Sequence, residues 1–504
     1  MSNKFSLVSM GCPKNLVDSD NLTEKLINCG LSYIDNYENA EILIINTCGF
    51  IQDAKKESIA EILKLAEIKK GPENMQDSVS SGDSLRRGSR IQDKKNRESC
   101  IVHHESKGNN KKLIVFGCLA KRYRDELLKE IPEIDAIFGV GEDERIVEYC
   151  KSQRKMQDAG YMTQDKKNQA SCIVNHASFL FASSSYAYLK IAEGCSRKCT
   201  YCVIPSIRGE YKSAAPDEIL KKAEGYINAG IKELILIAQD TASYGKDLNG
   251  YDIAALLKGL CSIKGDFRIR LLYAYPASIK ESLLKVIAEE EKICKYLDIP
   301  FQHSEDRILK LMKRGGGRNE YLNLTRKIRR AIPGIALRTT FIAGFPSETE
   351  EEFNSLIKFM EEAEFDRLGA FKYSKEEGTP AAKLKGHLTE AIKNRRLDTI
   401  MRHQADISLK KNKALIGRRF KAVVDEVDNE IAIGRLYSHA PEIDGVVIIE
   451  DTGFKIQDAG YKIKDKNDAS CIRHYASLEL KAGNFVTVEI TDVYDYDLKG
   501  KIVV

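Results

Sequence analysis

No stretch of the 504 residues approaches the roughly 18 consecutive apolar residues of a membrane-spanning helix. The N-terminus, MSNKFSLVSMGCPKN, lacks the long apolar core of a secretory signal, so the cytoplasm is the expected compartment. Strong charge of either sign is missing too. The 79 Lys and Arg against 74 Asp and Glu leave +5, too slight a bias to imply a nucleic-acid partner by itself. The 13 cysteines would be a liability in an oxidising compartment unless paired. In a reducing one they are expected to include ligands and buried thiols. The most informative absence is local. EGCSRKCTYCVIPSIRG (193–209) places Cys195, Cys199 and Cys202 on one short loop, with no fourth Cys or His nearby to close a structural zinc shell.

What is present is an ordinary globular composition, 43% hydrophobic and 30% charged, in a chain long enough for several domains. Three polar segments resemble one another: QDKKNRESCIVHHES (92–106), QDKKNQASCIVNHAS (164–178) and KDKNDASCIRHYAS (464–477). The last two also share an upstream QDAGY. Their spacing is too irregular for a solenoid or propeller. Each interrupts sequence that reads well without it, so they are expected to be insertions in surface loops. Lacking periodicity, the one at 155–183 is expected to be mobile. A metal site on Cys100/His104, Cys172/His176 or Cys471/His474 is the sharper alternative, but two ligands per copy cannot complete a zinc shell.

With the insertions set aside, three blocks remain. In residues 1–150 (insertion at about 72–110), FSLVS (5–9), EILIIN (41–46) and KLIVF (112–116) are strand-length apolar runs followed by helical patterns. That alternation predicts a parallel α/β sandwich. After a linker at 151–183, residues 184–412 hold six expected strands: 187–193, 233–238, 268–273, 296–300, 336–344 and 367–373. Helical stretches separate them, which predicts a partial (β/α)6 barrel. Residues 413–504, with an insertion at about 455–479, alternate in β fashion and predict a small antiparallel β-barrel.

Cys12, Cys48 and Cys118 each follow an expected strand of the first block, beside Gly11, Gly49 and Gly117. Taken singly, each reads equally as a small buried hydrophobe. At the carboxyl ends of three strands, where open α/β sheets bind ligands, they point to a shared one. Cys29 and Cys150 lack this placement. Three thiolates on the 195–202 loop suit a [4Fe–4S] cube whose fourth iron stays open. A catalytic zinc is the alternative, although such sites usually include histidine or carboxylate.

The C-x3-C-x2-C spacing, with Tyr201 before the last cysteine, resembles the signature of radical S-adenosylmethionine (SAM) enzymes. The whole layout is similar to the radical SAM methylthiotransferase family: an N-terminal domain with three spaced cysteines, a radical SAM barrel and a C-terminal TRAM domain. The motifs SLVSMGCPKNLVDSD (6–20), CVIPSIRG (202–209), YLDIPFQH (296–303), GFPSETEEEF (344–353), SKEEGTPAA (374–382) and HAPEIDG (439–445) resemble its branch that modifies the twelfth small-subunit ribosomal protein. Ser347 stands where that branch usually has Gly, and Asp20 where Glu is common.

The resemblance implies two [4Fe–4S] clusters, one on Cys195, Cys199 and Cys202 and one on Cys12, Cys48 and Cys118. It also implies SAM as radical source and methyl donor, and a methylthio group placed on the β-carbon of an aspartate. Tyr201, Gln239, Gly344, Phe345 and Pro346 are the expected SAM-site residues. Asp240, Tyr275, Pro276, Gln302 and His303 are further strand-end candidates, with His303 equally readable as structural. Arg208 reads either as a substrate contact or as a surface ion pair. GGGR (315–318) lacks a Walker lysine and reads as a loop.

The related alternative is a tRNA adenosine methylthiotransferase, and a distant one is a non-catalytic iron–sulfur protein. Outside its insertion the last block carries 8 basic and 12 acidic residues. RNA binding rests on neutralising phosphates, so this balance favours a basic ribosomal protein as partner over tRNA.

Overall fold

The structure is a computed structural model that describes residues 4–71, 111–155, 183, 185–428, 431–450 and 480–503. The three repeated segments lie outside the described residues. Among the described residues no helix is long and apolar enough to cross a membrane. Compactness groups the chain differently from its order. One unit comprises the described part of Met1–Phe181 together with Gly194–Tyr211 and Ser374–Ala382. The other comprises the described part of Ala182–Glu193, Lys212–Tyr373 and Lys383–Val504.

The first unit is built on five parallel strands: β1 (Lys4–Ser9), β2 (Ser32–Tyr33), β3 (Ile42–Thr47), β4 (Lys112–Gly117) and β5 (Ala136–Phe138). Their order is β2-β1-β3-β4-β5. Every residue of β3 is buried, as befits a central strand covered on both faces. Helices Pro13–Asn28 and Asp143–Lys155 cover one face through Leu22, Leu26, Ile146 and Val147. Helix Gln52–Lys70 covers the other through Ile62, Leu65 and Ala66. The order reverses between β1 and β3, and ligands of open α/β sheets bind in the crevice at that reversal. Cys12 and Cys48 follow those two strands.

The second unit contains an open six-stranded parallel sheet in the order β13-β12-β11-β10-β9-β6. Its strands are β6 (Tyr186–Lys190), β9 (Glu233–Ile237), β10 (Arg268–Leu271), β11 (Ile293–Asp298), β12 (Ala336–Ala343) and β13 (Arg367–Lys372). The order is sequential, as expected for a partial barrel. Two details differ from the sequence reading. The stretch 187–193 is not one strand, because β7 (Ala192–Glu193) leaves the sheet to pair with β8 (Lys212–Ser213) and close the base of the 194–211 excursion. The fourth strand runs from Ile293 to Asp298 instead of 296–300, because Pro300 has no N–H for a ladder.

Beyond helix Glu390–Lys413 the same unit carries a closed barrel, in the order β14-β15-β16-β18-β17. Its strands are β14 (Arg419–Asp428), β15 (Ile431–Arg435), β16 (Val447–Glu450), β17 (Phe485–Val493) and β18 (Leu498–Ile502). Four ladders are antiparallel, as expected. The β16–β18 ladder is parallel, because β17 intervenes in the chain and turns it round. Val424, Val447, Ile449, Val488 and Leu498 fill the interior.

This barrel is tied to the larger sheet by a buried charge cluster. The Glu233 carboxylate, at the start of β9, accepts from Arg268 (2.6 Å) and Arg270 (2.5 Å) on β10 and from Arg435 (2.7 Å) on β15. Arg435 also pairs with Asp425 at 2.7 Å. Burial alone would raise the Glu233 pKa. The three guanidinium groups overcome that and hold the carboxyl well below the usual range. His439, fully buried, is kept neutral by burial, then by Arg367, and then by the three arginines around Glu233.

Candidate functional site

In the first unit, three strand-end cysteines meet. Cys12 caps helix Pro13–Asn28, with Pro13 preset for its first turn. Cys48 and Cys118 are buried, and Cys118 opens helix Cys118–Arg122. The flanking glycines explain how the turns pack. Gly11 has φ +91°, and a Cβ there would lie 2.9 Å from the Cys48 sulfur. A Cβ on Gly49 would lie 3.0 Å from the carbonyl carbon of Cys118. Only bare backbone allows these turns to close on one another.

Burial pushes the Cys118 thiol up to about 11. Arg208 opposes that rise, while the neighbouring Cys12 and Cys48 add to it. Burial raises Cys48 as well. Ligands brought together in this way give up their protons to a metal when it binds. Among the described residues, no three His, Cys, Asp or Glu side chains are placed to grip one metal ion. A cube spreads its thiolates over different irons, so it takes a wider set than a single ion does. Three neighbouring thiols backed by close-packed glycine turns fit that wider demand.

The 194–211 loop belongs to the same unit, and its three cysteines are all half-buried. Gly194 has φ +75°, and a Cβ there would fall 2.0 Å from the Glu210 carbonyl oxygen, so the loop's two limbs touch through backbone. Cys195 N–H donates to Gly209 O at 3.0 Å, and Cys202 N–H to Cys199 O at 3.2 Å. Tyr201 is half-buried beside them. The short helix Ile204–Arg208 then packs Ile207, together with Val203, on Cys118. Arg208 is no surface ion pair: its side chain is 1% exposed, and it donates to Asn15 (2.7 Å) and Asp18 (3.0 Å).

Sequence reading gave the segment 374–382 no role in the site. Glu376, buried, accepts from Lys55 at 2.6 Å and from Arg122 at 3.1 Å. Arg122 also donates to the Gly49 carbonyl at 2.7 Å, next to Cys48. Ala381 N–H donates to Thr200 O in the cysteine loop at 2.9 Å. One segment thus holds both cysteine regions. The only signal for it was its place among the family-like motifs.

In the second unit, the strand-end candidates divide. Gln239, after β9, donates to Glu193 at 3.2 Å while its Oε1 is buried without a partner. Gln302 has φ +78° and likewise an unpartnered buried Oε1. His303 is fully buried. Its Nδ1 accepts from Glu305 N–H at 3.0 Å, which puts its proton on Nε2, and Nε2 faces the buried Glu348 Oε1 at 3.9 Å, beyond hydrogen-bond distance. The two glutamine oxygens at strand ends, unpartnered among the described residues, suit a polar ligand such as SAM, because buried polar groups otherwise find partners.

Asp240 is committed to structure. It accepts from Tyr275 N–H (3.1 Å), Ser243 (2.6 Å) and Ser278 (2.7 Å), joining the loops after β9 and β10. Pro276 opens a short 3-10 turn in the second of these loops. Gly344 has φ +74°, and a Cβ there would strike Lys393 Cγ at 2.6 Å. Phe345 is fully buried, edge-on to Tyr373 at 5.3 Å, and its N–H donates to Glu348 at 2.9 Å. Pro346 is buried beside it. Ser347 has φ +63°, a left-handed conformation, which is the physical reason a Gly suits that position.

Three family models match the chain: uncharacterized protein family UPF0004 over residues 4–79, the radical SAM superfamily over 189–360 and the TRAM domain over 416–503. The ribosomal protein uS12 methylthiotransferase RimO of Thermodesulfovibrio yellowstonii is 49% identical over 499 residues, covering 99% of both chains. Its namesake from Natranaerobius thermophilus is 39% identical over 506 residues, again 99% of both. That of Clostridioides difficile is 39% identical over 503 residues, 99% of this chain and 98% of the other.

Proposed function

We propose, from the premise that this chain belongs to the RimO family of ribosomal protein uS12 methylthiotransferases, that it replaces a hydrogen on the β-carbon of a uS12 aspartate with a methylthio group. The observation that carries this reading is full-length identity of 49% to such an enzyme, together with two sets of three cysteines in one compact unit.

Cys195, Cys199 and Cys202 hold one [4Fe–4S] cluster, and Cys12, Cys48 and Cys118 hold a second. Bound, the first supplies the electron that cleaves SAM, and the second supplies a place for the sulfur to be transferred. The chain's own residues then have defined tasks. The limbs of the 194–211 loop, pinned by Gly194, fix the first three thiols. Gly11 and Gly49 let the second three approach. Tyr201, Gln239, Gly344, Phe345 and Pro346 are the SAM-site set. In it Gln239 offers a free acceptor, and Phe345 acts through packing and backbone because its ring is buried. Ala substitution at Gly11 is expected to cost roughly 1–2 kcal/mol in backbone strain and to push a methyl group into Cys48. The G11A chain should bind about half the wild-type iron on reconstitution; a full complement of iron would show that the second cluster does not need the close approach of Gly11 to Cys48.

The TRAM barrel keeps its acidic excess even though Asp425 and Asp444 are engaged in ion pairs with Arg435 and Arg338. A basic ribosomal protein is therefore the better partner than tRNA. In anaerobic mixtures with SAM and dithionite, added uS12 is expected to accelerate release of 5′-deoxyadenosine, and bulk tRNA is not. Acceleration by tRNA alone would favour the tRNA reading. No 5′-deoxyadenosine under any condition would leave the non-catalytic one.

A further inference from the structure

We propose that Arg208 is a positioning residue for the cluster on Cys12, Cys48 and Cys118. Its guanidinium, carried on the loop of the other cysteine set, stabilises the charge of that cluster and raises its reduction potential. This rests on the two-cluster reading above.

The geometry is specific. Arg208 ends helix Ile204–Arg208, whose Ile207 packs on Cys118 in one apolar cluster with Val203. Packing at that point fixes where the arginine side chain can reach. Its Nη2 donates to Asn15 Oδ1 at 2.7 Å, and that same oxygen lies 3.9 Å from the Cys118 sulfur. The guanidinium and the thiol therefore share one acceptor. Asn15 and Asp18 stand three residues apart on one face of helix Pro13–Asn28, the helix that Cys12 caps. Asp18 completes the hold on Arg208 at 3.0 Å, and only 1% of the arginine side chain is exposed.

A buried cation beside a cluster is screened little by water. One-electron reduction adds a negative charge to the cube, and a neighbouring guanidinium favours the more negative state. Hydrogen bonds and net charge around the sulfurs are the protein's means of setting such potentials. Asp18 works in the opposite sense, because its carboxylate offsets part of the arginine charge. Lys55 and Arg122 both pair with Glu376, whereas the charge of Arg208 acts on both Cys48 and Cys118. Arg208 is thus the cation whose removal changes the field at Cys118 most directly. The potential of one cluster is, on this account, set by a residue that the other cluster's loop delivers.

The test is a redox titration of the reconstituted full-length chain followed by electron paramagnetic resonance. The signal lost in C12A marks the second cluster. In R208Q its midpoint should move to more negative potential, and in R208K it should stay nearer to wild type. In D18N it should move to more positive potential. The midpoint of the remaining signal should move less in every variant. Opposite shifts for R208Q and D18N cannot come from simple loosening of the fold, which would displace both in one direction. Shifts of the same sign, or none with both clusters present, would overturn the role of Arg208 alone. A C12A chain that keeps all its iron and both signals would overturn the assignment of a cluster to Cys12, Cys48 and Cys118, and this inference with it.

Discussion

Replacing Cys195, Cys199 and Cys202 by alanine abolishes release of 5′-deoxyadenosine, whereas replacing Cys12, Cys48 and Cys118 leaves that release and abolishes methylthiolation. This is the first expected result, and it separates the two halves of the chemistry. A [4Fe–4S] cube held by the three loop cysteines would keep one iron unfilled by protein, which is what a cofactor that must bind the metal requires. No histidine or carboxylate lies between Cys195 and Cys202 to substitute for a missing thiol, so activity should fall to background and not by a modest factor. The second set is built differently, from three strand ends at and beside the reversal of the β2-β1-β3-β4-β5 sheet. Its loss removes a ligand site without touching the 195–202 thiols. Anaerobic chromatography of SAM products reads the first effect, and mass spectrometry of the acceptor reads the second. Undiminished cleavage in the loop variant would sink the assignment of that set.

The second large effect is on stability. Glu233→Gln keeps the shape of the side chain but leaves Arg268, Arg270 and Arg435 facing a neutral amide, with Asp425 as the remaining carboxylate among them. Removing one partner from a buried charge cluster costs about 3–5 kcal/mol, because the remaining charges stay desolvated. The urea midpoint, followed by circular dichroism, should fall accordingly. The pH dependence has a definite sign. Glu233 is held ionised far below its unfolded value of about 4.3, so its contribution is complete above that pH and is lost as the pH falls. The gap between wild type and E233Q should therefore be widest near neutrality and narrow below about pH 4.3. A gap that stays constant with pH would show that Glu233 contributes by shape and not by charge.

Much of this architecture was legible in the sequence, for identifiable reasons. FSLVS, EILIIN and KLIVF are short apolar runs buried on both faces, and such runs mark parallel strands whatever surrounds them. The six cysteines stood out because glycine turns or tight spacing framed them. What escaped were features with no local signature. The strands Ser32–Tyr33 and Ala136–Phe138 are too short to show a period. The position of the sheet reversal depends on strand order, which no single segment encodes. Glu233 read only as the first residue of a strand, since its three arginines lie 35, 37 and 202 residues away. Arg208 and Asn15 are 193 residues apart, and Glu376 and Lys55 are 321 apart. Such ion pairs are chosen by the tertiary fold, and burial decides whether a charge is structural or solvated. That is also why Arg208 read as either a substrate contact or a surface pair, and why the surface pair is absent from the folded chain.

The most direct test of the whole account is tandem mass spectrometry of uS12 after anaerobic turnover with the reconstituted chain, SAM and dithionite. The predicted result is a methylthio group in place of one hydrogen on a single aspartate side chain, formed only when both cysteine sets are intact. Unmodified uS12 beside a methylthiolated tRNA adenosine, or modified uS12 from a chain lacking either cysteine set, would contradict it.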